Sequence, residues 1–177
     1  MVKKSKKSRK FLKKTVSIVG AGRVGAPFAL FIAECGHQVY ALDVDSDKVS
    51  TLSKGKMPFM EEGADELLTK HINKNLFAST DFSNILKSSV IILTLGTPVD
   101  ENMNPSLVQI DNALKSIKPY LVPNQLLILR STVSPGTTSY VKSYINDIPK
   151  LTVGENFFVA FCPERIAEGK SLKELAE

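Results

Sequence analysis

The sequence predicts an α/β fold, a doubly wound parallel sheet of about six strands in the order 3-2-1-4-5-6. Three observations carry that prediction. Short β-branched or apolar runs alternate with amphipathic helical patterns six times along 177 residues, which calls for parallel strands joined by right-handed crossovers. Residues 89–95 (SVIILTL) form a continuous apolar run of strand length, the pattern of a strand covered on both faces. Small or polar groups recur where the strands would end: Gly20 to Gly25, Asp43, Gly96-Thr97-Pro98, Ser131-Thr132 and Cys162-Pro163-Glu164. In open parallel sheets ligands bind along that carboxyl edge.

The first strand is Val16-Ser17-Ile18-Val19, and the glycines after it fall as G-x-G-x-x-G at Gly20, Gly22 and Gly25. Gly20 would allow a tight turn, Gly22 a close approach of backbone to a pyrophosphate, and Gly25 close packing of helix on strand. Phosphates would then sit over the free N–H groups at the positive end of the following helix, with Arg23 and Val24 in the cradle. That helix places Val24, Phe28, Phe31 or Ile32, and Cys35 on one side, so Cys35 is read as a core residue. Gly36-His37 stops the helix, and residues 38–43 form a second strand ending at Asp43. A carboxylate there can accept both hydroxyls of an adenosine ribose and would repel a 2′-phosphate, favouring NAD over NADP. Asp43, Asp45 and Asp47 could instead cap the next short helix. The two roles are compatible, because Asp45 or Ser46 can cap while Asp43 binds.

Lys48, Val49 and Leu52 continue the short helix until Gly55-Lys56-Met57-Pro58 breaks it. Residues 61–73 read as a helix with Leu67, Leu68 and Ile72 inward, acids in its first turn and Lys70 near its end. Residues 76–78 make a short third strand, and Asp81 can cap the turn after it. The apolar run at 89–95 is the fourth strand. A polar loop over 99–105 leads to Ser106-Leu107-Val108-Gln109, a capping-box pattern, and to a helix with Leu107, Ile110, Leu114 and Ile117 inward. Residues 126–129 are the fifth strand. Ser134-Pro135-Gly136 starts another helix with proline at its first position, and Tyr140, Val141, Tyr144, Ile145 and Ile148 form its inner face. Residues 157–161 are the sixth strand.

Composition narrows the class. Hydrophobic residues at 43% and charged residues at 23% are ordinary for a globular domain. No apolar run approaches the roughly 20 residues needed to span a bilayer. The basic start is not followed by an apolar segment, so no signal peptide is expected. Cys35 and Cys162 give no disulfide framework or metal spacing, which fits a reducing cytoplasm. With His37 and His71 as the two histidines, no protein-built metal site is expected. The net charge of +5 is concentrated, because Lys3, Lys4, Lys6, Lys7, Arg9, Lys10, Lys13 and Lys14 all fall in the first fourteen residues. The rest is slightly acidic. Residues 1–14 are read as a solvated, disordered tail before a domain over 15–177. Binding of nucleic acid or of an anionic membrane is not expected, since Phe11 alone is interleaved and no recognition motif follows.

Further segments carry a family resemblance. They are Gly20-Ala21-Gly22-Arg23-Val24-Gly25-Ala26-Pro27, Asp43-Val44-Asp45 with Lys48, and Gly63-Ala64-Asp65-Glu66-Leu67-Leu68. Next come Gly96-Thr97-Pro98, Ser131-Thr132-Val133 with Pro135-Gly136-Thr137-Thr138, and Cys162-Pro163-Glu164-Arg165 with Glu168-Gly169. In this order they resemble the N-terminal, Rossmann-type domain of the UDP-glucose/GDP-mannose dehydrogenase family. That family oxidises the C6 alcohol of a nucleotide sugar to a carboxylate, reducing two NAD+ in turn. The resemblance implies that Gly20, Gly22, Gly25, Asp43, Lys48, Thr97 and Thr132 contact NAD, and it extends the cofactor set to Arg23, Val24, Gly96, Pro98 and Ser131. It implies that Glu164 assists hydrolysis of a thioester intermediate, that Thr132 helps place the water, and that Glu168 lies near nicotinamide and sugar. A carboxylate is chemically suited to take a proton from attacking water. Cys162 matches a structural position rather than the family's nucleophile.

The resemblance ends at Glu177, ahead of the family's nucleophilic cysteine, central helix and UDP-binding domain. The chain as it stands is therefore expected to bind NAD without completing the oxidation. The expected substrate, a UDP-sugar, would need that second half; full-length relatives are homo-oligomeric. Cys162-Pro163-Glu164-Arg165 resembles the UDP-N-acetylmannosamine branch and Ala167-Glu168-Gly169 the UDP-glucose branch, and Glu62 replaces a proline common before Gly63, which leaves the sugar open. Two other readings stand beside this one: a non-catalytic NAD-binding regulatory module, and an NAD-dependent dehydrogenase of the 3-hydroxyacid type.

Overall fold

A computed structural model of the chain describes residues 13–96, 107–165 and 169–176. Six strands form one sheet: β1 (Thr15–Val19), β2 (Gln38–Leu42), β3 (Leu76–Ser79), β4 (Val90–Leu93), β5 (Gln125–Leu129) and β6 (Phe157–Phe161). Their order is β3-β2-β1-β4-β5-β6 and every pairing is parallel. The expected order is the observed one. In register, Val19 pairs with Leu42 on one side and Leu93 on the other, so the carboxyl ends of three central strands finish level.

Helices α1 (Gly25–Glu34), α2 (Ser46–Ser53), α3 (Ala64–His71), α4 (Val108–Ile117), α5 (Thr137–Asn146) and α6 (Ser171–Ala176) cover the sheet. One core joins Ile18, Leu30, Val39, Leu68 and Ile92, under α1 and α3. The second joins Leu93, Leu114, Leu127, Ile145 and Phe157, under α4 and α5. Each such fully buried aliphatic or aromatic side chain contributes about 1.5–3 kcal/mol. The buried Gln125 side chain is matched at both ends. The Gln125 amide donates to Ile85 O and Ser88 O at 2.9 Å each, and its oxygen accepts from Val122 N at 2.9 Å.

Several local expectations are corrected. The inner face of α1 is Ala26, Ala29, Leu30 and Ala33, while Cys35 is exposed at the helix end. Small residues win that face because α1 lies close on the strands. Helix α3 begins at Ala64 rather than at residue 61, because Gly63 adopts φ +74 and interrupts the helix. Pro135 is not the first residue of α5: Gly136, at φ +88, intervenes as N-cap. Tyr140 is exposed, and its hydroxyl donates to Asp111 at 2.6 Å. Leu107 is the N-cap of α4 and no side chain bonds there; Ser106 lies outside the described residues. Asp45 and Asp81 cap α2 and the 3-10 helix Phe82–Lys87 as expected. The short α6, for which the sequence reading offered no element, is held by Glu61. That buried carboxylate accepts from Gly169 N at 3.1 Å, Ser171 Oγ at 3.3 Å and Leu172 N at 3.1 Å.

Candidate dinucleotide site at the carboxyl edge

The turn from β1 into α1 is set by two glycines. Gly20 has φ +100, and a Cβ there would lie 2.4 Å from Thr94 O. A Cβ on Gly25 would lie 1.8 Å from Gly20 O and 2.4 Å from the Thr94 hydroxyl. Thr94, just past β4, locks the turn by donating its hydroxyl to Gly20 O at 2.7 Å. Gly22 differs from both. A Cβ there meets nothing within 4 Å among the described residues, and, unlike that of Gly20, its φ is not positive. The protein's own packing therefore gives no reason for glycine at 22, and the free space borders the cavity described next. No side chain caps the start of α1; Ala26 N and Phe28 N donate to Gly22 O at 3.0 Å and Val24 O at 3.2 Å, which leaves the Gly25 N–H, at the turn itself, to solvent or ligand. Pro27 sits in the first turn of α1, where a missing N–H costs nothing.

A cavity of about 380 Å3 opens along this edge, and Gly20, Gly22, Asp43, Lys48 and Gly96 line it together with one face of α4. Asp43 is 8% exposed. Its Oδ2 accepts from Ala21 N at 2.8 Å and its Oδ1 from Asp45 N at 3.0 Å, so it ties the glycine turn to the start of α2. Each oxygen keeps lone-pair capacity for a further donor. Lys48 Nζ lies 3.8 Å from Asp43 and 3.4 Å from Asp45. The Lys48 backbone N–H on Asp45 is the leading cause that holds its carboxyl below the usual value. Beside this, Arg23 is exposed and lies over the Phe59 ring at 5.7 Å, while Val24 is the half-buried N-cap of α1.

The β5 and β6 ends of the edge are built differently. Ser131 Oγ donates to Leu95 O at 2.6 Å, and Thr132 is exposed. Glu164 N donates to Arg130 O at 2.8 Å, and Arg130 Nη2 lies 2.7 Å from Glu164 Oε2. The Arg130 guanidinium stacks over Phe28 of α1 at 4.1 Å and its Nη1 reaches the Cys162 sulfur at 3.6 Å. Glu164 Oε1 accepts from Arg165 N at 2.6 Å. None of Ser131, Thr132 and Glu164 lines the cavity.

Thus Gly20, Gly22, Asp43, Lys48 and Gly96 are brought together, and Thr132 and Glu164 stand further along the same edge. Thr97, Pro98 and Glu168 lie outside the described residues. Sequence reasoning missed Thr94, Arg130 and the polar face of α4. Thr94 had one signal, a hydroxyl interrupting an apolar run. Arg130 had none, since its partners come from α1 and β6. Among the described residues, no group of three or more His, Cys, Asp or Glu could hold a metal ion, and no helix is long and apolar enough to cross a membrane.

Comparison with known proteins agrees with this geometry. The model of the NAD binding domain of the UDP-glucose/GDP-mannose dehydrogenase family matches residues 14–177. A UDP-N-acetyl-D-mannosamine dehydrogenase of Methanococcus aeolicus is 36% identical over 166 residues, covering 92% of this chain and 36% of its own. A UDP-glucose 6-dehydrogenase of Haloferax volcanii is 32% identical, covering 90% of this chain and 38% of its own. The crystal structure of a GDP-mannose dehydrogenase ternary complex from Pseudomonas aeruginosa superimposes with a TM-score of 0.85 at 32% identity, covering 90% of this chain and 38% of that one. The chain spans little more than a third of the length of these relatives. Its sheet order, its glycine turn and the family match agree: the chain belongs to the UDP-glucose/GDP-mannose dehydrogenase family, of which it carries the NAD binding domain.

Proposed function

We propose that this chain is the cofactor-holding part of a nucleotide-sugar 6-dehydrogenase. That enzyme oxidises the C6 alcohol of a UDP-sugar to a uronate with two NAD+, in the cytoplasm. The chain is read as a basic tail over residues 1–14 and a dinucleotide domain over 15–177, in a protein whose relatives are homo-oligomers. NAD+ would supply the hydride acceptor, and the chain's own residues would hold and orient it. Gly20, Gly22 and Gly25, with Arg23 and Val24, form the pyrophosphate cradle. Asp43 accepts the ribose hydroxyls, and Lys48 stands on the adenosine side. Gly96, which lines the same cavity, is assigned to the cofactor together with Thr97, Pro98 and Ser131, Thr97 on the cofactor's backbone. Thr132, Glu164 and Glu168 serve the sugar side, with Thr132 placing a water and Glu164 receiving its proton.

One observation carries the reading. Gly22 leaves an opening that no atom of the described residues fills, beside a carboxylate that already anchors the glycine turn. A phosphate over the N–H groups and a ribose on Asp43 fit that opening, whereas a 2′-phosphate would meet the Asp43 charge. The test is calorimetric titration of the chain with NAD+ and with NADP+. NAD+ should bind at least about tenfold more tightly, a difference of about 1.4 kcal/mol, and Asp43→Ala should narrow the gap. Equal affinities in the unsubstituted chain would contradict the assignment.

A further inference from the structure

The cavity continues past Asp43 to a wall that the proposed cofactor roles leave unused. Gln109, Asn112 and Ser116 of α4 line it, at spacings of three and four residues that place them on one helical face. The opposite face, Ile110, Leu114 and Ile117, is buried in the core. Apolar groups complete the wall, with Val44 after β2, Phe82 in the 3-10 helix and Leu95 after β4. Such a pocket, mostly apolar with a few polar groups, is suited to a flat heterocycle whose edge must be read.

Position decides which part of a dinucleotide reaches it. With the pyrophosphate on the glycine turn and the ribose on Asp43, the base extends away from the phosphates, toward Val44 and α4. Gln109 sits over the end of β4, with its Oε1 3.1 Å from where a Gly96 Cβ would lie. That places it at the ribose-phosphate side. Ser116 spends its hydroxyl proton on Asn112 O, at 2.9 Å. The Asn112 amide, between them and without a hydrogen bond among the described residues, has both a donor and an acceptor to offer.

We infer that Asn112 is a specificity-determining residue that reads the N6–N7 edge of the adenine base. This inference rests on the proposed cofactor reading of the same cavity. A side-chain amide pairs with that edge in two bonds, its oxygen accepting from the N6 amine and its nitrogen donating to N7. Hypoxanthine has an oxygen at position 6 and presents two acceptors there, so one of the two bonds is lost.

The experiment titrates the chain, calorimetrically, with NAD+ and with nicotinamide hypoxanthine dinucleotide. NAD+ should bind about tenfold more tightly, the size expected for one lost hydrogen bond at a desolvated edge. Asn112→Ala should weaken NAD+ about tenfold, leave the hypoxanthine dinucleotide within about threefold, and so bring the two together. Its unfolding midpoint should not move, since Asn112 is exposed and alanine favours helix. Gln109→Ala should weaken both dinucleotides alike and keep their ratio. Equal affinities in the unsubstituted chain, or a ratio kept in Asn112→Ala or lost in Gln109→Ala, would overturn the inference. If neither dinucleotide bound, the cofactor reading itself would fall.

Discussion

At the β1, β2 and β4 end of the carboxyl edge, polar groups face an opening; at the β5 and β6 end, they face one another. Asp43 spends one bond from each oxygen on backbone N–H groups and keeps the rest of its capacity for the cavity. Glu164, by contrast, meets a guanidinium that is itself pressed on Phe28 and touching Cys162. The first region is organised to receive a ligand as it stands. The second is organised around an internal ion pair. The proposed roles fall in both regions, but their physical readiness differs.

The largest effect that could break this comparison belongs to the glycine turn. A methyl group on Gly25 would meet backbone oxygen at 1.8 Å, and backbone cannot step aside as a flexible side chain can. Gly25→Ala should cost about 3 kcal/mol and lower the unfolding midpoint by about 6–12 °C. A small shift, followed by calorimetry, would mean that the turn is looser than its contacts indicate.

A smaller effect is expected at the other end. Arg130→Met keeps much of the side-chain length but removes the guanidinium from Glu164. With both partners nearly nine-tenths buried, at 13% and 11% side-chain exposure, the loss should be about 2 kcal/mol. Affinity for NAD+ should stay within about twofold, because the pair lies outside the cavity. Denaturant titration and cofactor binding on the same preparation separate these outcomes. A large loss of NAD+ affinity would show that the two regions are one site energetically.

What was legible in the sequence follows the same division. Strand positions, sheet order and the jobs of Gly20 and Gly25 were readable, because local periodicity and a strand–glycine–helix succession determine them. Local rules failed where a partner distant in sequence decided the outcome. Residue 61 reads as helical by pattern, yet its carboxylate serves residues 169 to 172, and Gly63 then restarts the chain as a helix. Cys35 has the spacing of an inward residue, yet the small residues of α1 turn a different face to the sheet. The Arg130–Glu164 pair joins residues from two strand ends and a helix, and no spacing along the chain announces it. Pro135 shows a further limit: proline marked a helix start correctly to within two residues, while Gly136 took the capping position.

The central claim is that the space at Gly22 is reserved for a ligand and not for the protein. Gly22→Ala tests it most directly, with the unfolding midpoint and the NAD+ affinity measured on one preparation. Among the described residues, beyond the chain neighbours of Gly22, no heavy atom lies within 4 Å of the added methyl, so stability should change by no more than about 0.5 kcal/mol, while NAD+ affinity should fall at least about tenfold. An alanine variant that binds NAD+ as tightly as the original chain would contradict the account.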